Sequence, residues 1–109
     1  MWEASSKVKP WRAAVKNTAT SYMRDENVPI ISKPVEICLT FFMPKPKLVK
    51  REVPSVKPDL DKLIRSTLDG LSKVCYVDDA LVIAIGASKI YTKDTPGCLI
   101  TIVEQDEDA

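Results

Sequence analysis

Histidine is absent from the 109 residues, which removes Ser-His and Cys-His nucleophilic catalysis and every His-ligated metal site at once. Cysteine is scarce: Cys38, Cys75 and Cys98 are odd in number, far apart and each set in an apolar run, so neither zinc spacing nor a disulfide framework fits. They are expected to be reduced core residues of an intracellular protein. No apolar run reaches membrane-spanning length, and no signal peptide, internal repeat or low-complexity tract is present. A single domain over 1–109 is expected, since a composition 45% hydrophobic and 28% charged suits one globular core at this length. Carboxylates are left as the only strong metal ligands.

Charge is present in both signs but unevenly laid out. The formal net charge is +1, yet residues 1–65 carry 13 Lys/Arg against 7 Asp/Glu, while residues 66–109 carry 3 against 8. The front of the chain is basic and the tail acidic. Residues 1–10 read as irregular, and the spacing of Trp11, Ala14, Val15, Thr18, Ala19 and Tyr22 predicts a helix from Trp11 to about Arg24. Lys7, Lys9, Arg12 and Lys16 cluster at its start, either as a solvated face or as a contact for DNA phosphates.

The β-branched and aromatic run over 34–43 predicts a strand with Val35, Ile37, Leu39 and Phe41 on one side. Residues 44–57 then hold three prolines and five basic residues, Lys45, Lys47, Lys50, Arg51 and Lys57, against one acid. That is too much proline for a helix and too much charge for a core, so a basic loop is expected, soluble by default and suited to a polyanion. Residues 80–91 and 97–104 read as two strands paired as a hairpin through a turn over 92–96. Gly86 suggests a bulge or close backbone approach, and 105–109 a disordered acidic tail. Helix, strand, helix, strand, strand implies an α/β single domain, a mixed β-sheet with two main helices.

The rest is organised around residues 57–79, KPDLDKLIRSTLDGLSKVCYVDD. Pro58 is a natural helix start, and Leu60, Leu63, Ile64, Leu68, Leu71 and Cys75 form one apolar stripe. Asp61, Arg65, Asp69 and Lys73 follow at steps of four on the polar face, where alternating signs allow pairing. Asp59 and Asp61 stand at the helix entrance, Asp78 and Asp79 beyond its exit, so a return of the chain would unite the two pairs as a metal site. Two residues apart on a regular helix point about 200° from each other, so convergence needs Asp59 to be extended or at the N-cap. The same aspartates equally suit a helix cap and a turn before a strand.

The pattern D-L-D-K-L-I-R-x-x-L-D-G-L, followed by V-D-D-A-L-V, resembles the signature of the RusA-type Holliday-junction resolvases of phage and prophage genomes. The resemblance implies Asp59, Asp61 and Asp79, with Asp78 beside it, as catalytic, magnesium-binding carboxylates, with Mn²⁺ as a possible substitute and no organic cofactor. Arg65 takes the place of a catalytic lysine, and Lys62 that of an asparagine. Arginine keeps the charge but cannot give up a proton. The implied activity is paired, symmetric nicking of branched DNA at a four-way junction by a homodimer in the bacterial host cytoplasm, away from membranes. DNA contact is expected from Lys7, Lys9, Arg12, Lys16, Lys45, Lys47, Lys50, Arg51, Lys57 and Lys62. In that family a strand and basic loop precede the first helix; none is evident here, so an abbreviated form with a sheet one strand short is expected. A branched-DNA-binding module without catalysis, and a flap or fork nuclease, are the alternatives.

Overall fold

A computed structural model describes residues 4–106, with side chains described from Pro10 onward. The element order is α1 (Ala4–Asp25), β1 (Val35–Pro44), α2 (Leu60–Leu71), a short 3₁₀ turn (Asp79–Leu81), β2 (Val82–Thr92) and β3 (Gly97–Glu104). The mixed three-stranded sheet and two helices are the α/β architecture expected. Helix α1 begins earlier than the predicted Trp11 and runs through Pro10. Pro10 is the seventh residue of the helix, beyond the first turn, so it forfeits one i→i−4 bond, yet the helix continues to Asp25.

The two C-terminal strands do not form the expected hairpin. The sheet order is β2-β1-β3, with β1 parallel to β2 and antiparallel to β3. Strand β1 takes the centre because it alternates most cleanly, with Val35, Ile37, Leu39, Phe41 and Met43 all exposed by 5% or less. Each such side chain contributes on the order of 1.5–3 kcal/mol on burial. The connection from Thr92 to Gly97 must cross two strand spacings, roughly 10 Å, and a short extended segment reaches that far.

Gly86 is neither the bulge nor a close approach: a Cβ there would meet only the Cys38 sulfur, at 3.9 Å. The register shift falls instead where Val35 faces Val82 and Glu36 faces Ala84, leaving Ile83 as the extra residue. Cys38 also departs from expectation. It is exposed, on the opposite side of β1 from the core, whereas Cys75 is buried and Cys98 half-buried; all three are free thiols. The expected tail disorder does not extend to Gln105, whose amide donates to the Pro34 carbonyl at 2.8 Å, or to Asp106, which pairs with Lys33 at 3.6 Å. Residues 107–109 lie outside the described residues.

Helix α2 keeps the predicted stripe on the core, with Leu63, Leu71 and Cys75 buried and Leu60, Ile64 and Leu68 packed against them, but its buried face is wider than that stripe and takes in Ser66, Thr67 and Gly70. The cause is α1, which packs on the small side chains. Trp11 Nε1 donates to Thr67 Oγ1 at 3.0 Å, and that hydroxyl donates to the Leu63 carbonyl at 2.8 Å. A Cβ on Gly70 would lie 2.8 Å from Val15 side-chain atoms and 2.9 Å from the Arg12 carbonyl oxygen. Gly70→Ala gains about 1 kcal/mol of helix propensity, but overpacking against backbone costs about 1–3 kcal/mol. Net destabilisation in a urea titration is the expected result, and an Ala variant more stable than wild type would refute the close approach.

Candidate active site

Asp59 is the N-cap of α2, extended at φ −68° and ψ 141°, yet its side chain caps no N–H. It pairs instead with Lys62 Nζ at 3.7 Å. Asp61 follows in the first turn, where the helix dipole favours a carboxylate. The predicted ladder of Asp61, Arg65, Asp69 and Lys73 forms no ion pair among the described residues. The helix ends at Leu71, and Lys73 beyond it adopts a left-handed φ of 63°. Exposed pairs of this kind gain too little to hold long side chains together.

Asp61, Arg65 and Asp69 instead face an open groove of about 450 Å³, floored by Ile64, Leu68 and Tyr76. Asp79, Val82 and Ile85 close its other side. The chain returns Asp79 there through a specific tether. The Ile31 amide donates to the Cys75 carbonyl at 2.8 Å and the Val77 amide to the Ile31 carbonyl at 3.0 Å, locking residues 75–77 beside Ile31. Asp78 and Asp79 then part company. Asp78 Oδ1 accepts from the Ala80 amide at 2.9 Å and caps the 3₁₀ turn, whereas the Asp79 carbonyl accepts from the Val82 amide and its carboxylate, which accepts no hydrogen bond among the described residues, lines the groove.

Of the expected carboxylates, the groove thus collects Asp61 and Asp79 but not Asp59 or Asp78, and it adds Asp69. Asp69 was legible as the residue one turn beyond Arg65 on the same helical row, without a role attached. The groove is elongated: Asp61 and Asp69 are eight residues apart, about 12 Å along the axis. Near Asp69 the field of the groove reaches Tyr76, whose hydroxyl is pushed up to about 12 by burial, then by Asp79, Cys75 and Asp69.

Among the described residues no three acidic or thiol groups are gathered closely enough to hold a metal ion on their own. The donors nevertheless fit Mg²⁺ in kind. They are all oxygen, open to water, and this ion is commonly held by one or two carboxylates with waters filling the octahedron.

The candidate DNA contacts divide by position. Lys45, Lys47, Lys50, Arg51 and Lys57 are exposed on the connection between β1 and α2, which runs directly into Asp59. That connection is anchored on β2: Arg51 Nη1 donates to the Tyr91 hydroxyl at 3.0 Å, and Lys45 Nζ sits 5.8 Å from the Tyr91 ring centre. Lys16 is exposed on α1, Arg12 half-buried and Lys62 exposed beside Asp59. The side chains of Lys7 and Lys9 lie outside the described residues.

The small α/β domain thus carries a groove lined by carboxylate oxygens and one guanidinium, with a cationic connection leading along the chain to the Asp59 cap. The sequence matches the family model described as Endodeoxyribonuclease RusA over residues 2–103, and the chain belongs to that family. It is also 31% identical over 77 residues to an uncharacterised protein, YqaN, of Bacillus subtilis (strain 168), across 60% of this chain and 54% of that protein. The chain therefore spans about half the length of that curated relative. No described helix is long and apolar enough to cross a membrane.

Proposed function

We propose that this chain is a magnesium-dependent endodeoxyribonuclease that resolves four-way DNA junctions. The observation that carries the reading is the convergence of Asp61 and Asp79, from different elements, on one groove beside Arg65. Asp61 and Asp79 are the assigned metal-holding residues, with Asp59 at the helix entrance and Asp69 further along. Bound there, a divalent ion lowers the pKa of a water and offsets phosphoryl charge. Arg65 holds the scissile phosphate by its guanidinium fork and stabilises the charge that grows on its oxygens. As a fixed cation it does not serve as the acid for the leaving oxygen. Lys45, Lys47, Lys50, Arg51 and Lys57 hold the backbone of the arm leading into the site. Such contacts position DNA without reading its sequence.

Two symmetric nicks require two sites, so the working form is a homodimer about a two-fold axis. The test is cleavage of a mobile four-way junction beside duplex, flap and single-strand controls, in Mg²⁺, in Mn²⁺ and in EDTA. Paired nicks confined to the junction and lost in EDTA are expected; tight binding with no cleavage in any divalent ion would reduce the chain to a binding module. Binding falls steeply with salt. If about five phosphates are neutralised, the slope of log K against log salt is about −4 to −5, and a slope near zero would remove the basic connection from the interface.

A further inference from the structure

We propose that Lys89 is a positioning residue that clamps the entrance of α2 and so sets the direction of Asp59 and Asp61. Lys89 is half-buried on β2, opposite Phe41 and on the core side of the sheet. Its Nζ donates to the Val56 carbonyl at 2.8 Å and to the Pro58 carbonyl at 3.0 Å. These carbonyls belong to the last residues before the Asp59 cap, in a stretch with no sheet partner of its own. One ammonium bridging two carbonyls two residues apart fixes both the position and the tilt of the chain there. The bonds are charge-assisted and therefore stronger than those of a neutral donor.

Asp59 makes no capping bond that would hold this entrance by itself, so the strand-borne cation supplies the restraint. Lys89 also ties the carboxylates to the strand that carries Tyr91, the anchor of Lys45 and Arg51. Metal-holding and phosphate-holding residues are thereby referenced to one rigid element. The consequence for metal binding rests on the carboxylate site proposed above.

Hydrogen exchange and Mn²⁺ calorimetry on the DNA-free protein, followed by junction cleavage, test the clamp in Lys89→Met and Lys89→Arg. In Lys89→Met, amide exchange rises in the first turn of α2 and not in its last turn, and the Mn²⁺ midpoint rises by about 10- to 100-fold, the usual effect of losing a group that orients a ligand. Lys89→Arg, which keeps charged donors, recovers most of both. Where Lys89→Met does not fold, Lys89→Gln, with a single neutral donor arm, takes its place. First-turn exchange unchanged from wild type, or exchange raised evenly over the whole domain, overturns the clamp. A Lys89 dependence of exchange and Mn²⁺ binding in a protein that cuts no DNA supports the clamp and overturns the nuclease reading alone.

Discussion

Asp79→Asn is expected to lower junction cleavage by at least about 10²-fold, the scale on which loss of one charge-stabilising group acts in such sites, while the neighbouring Asp78→Ala stays within a few-fold of wild type. Sequence makes the two equivalent; their hydrogen bonds do not. One Asp78 carboxylate oxygen is committed to the Ala80 amide, so its loss is that of a cap, about 0.5–2 kcal/mol of stability. Asp79 has no such duty and faces Asp61 and Arg65. Both Asp79→Asn and Asp61→Asn should bind junction DNA as well as wild type, because each removes a negative charge that opposes phosphate. In the double variant the loss should be far from additive, since groups acting on one event fail together. Single-turnover cleavage and a binding titration on the same preparations decide the matter. An inactive Asp78→Ala beside an active Asp79→Asn would reverse the assignment.

Why Asp78 and Asp79 look alike in sequence shows where legibility stopped. The strand in Val35–Pro44, the helix after Pro58 and the acidic entrance are local features, written as alternation, a proline and adjacent carboxylates, and they were readable. The insertion of β1 between β2 and β3 was not, because a short turn suits a hairpin and a split pair equally well; what decides is which strand buries most, a comparison across the whole sheet. The apolar stripe of α2 is legible and does face the core, but leucine spacing gives only part of the buried face, because α1 also packs on Thr67 and Gly70. The small residues at 66 and 70, one turn apart, were the available signal for a close helix contact.

Of the candidate site, Asp61, Arg65 and Asp79 stand out in sequence and share a groove. Lys89 and Tyr91 are not legible, because their bonds cross long sequence separations: Lys89 to the carbonyls of Val56 and Pro58, Tyr91 to Arg51. No periodicity announces such a bond. Tyr76 is silent for another reason, since one tyrosine between Cys75 and Val77 reads as ordinary strand or turn filling.

Tyr76→Ala should be the most damaging single substitution away from the carboxylates, at about 3–5 kcal/mol, a large share of the roughly 5–15 kcal/mol that holds a domain of this size. Tyr76 is fully buried, its carbonyl accepts from the Lys73 amide at 2.9 Å, and its ring floors the groove. Tyr76→Phe keeps the volume. The hydroxyl it removes lies 3.5 Å from the Leu68 carbonyl, at the limit of hydrogen bonding, so the cost at neutral pH should be about 1 kcal/mol or less. The two variants separate at high pH. With the hydroxyl pushed up from 10.0 to about 12, the folded state prefers the neutral phenol. Its contribution is full below pH 10 and lost as pH rises toward 12. Phenylalanine has no such ionisation, so stability of Tyr76→Phe should fall less steeply than wild type across pH 10 to 12. Cys98, pushed up from 9.0 to about 11 by burial against an opposing backbone hydrogen bond from Thr40, adds an earlier loss beginning near pH 9 that both proteins share. Denaturant titrations at stepped pH would show the two slopes, and identical curves above pH 10 would deny the buried phenol. Because Asp79 is, after burial, the first cause of that shift, Asp79→Asn should also lower the Tyr76 titration while burial keeps it above the ordinary 10, a spectroscopic reading of how near the carboxylate stands to the groove floor that needs neither metal nor DNA.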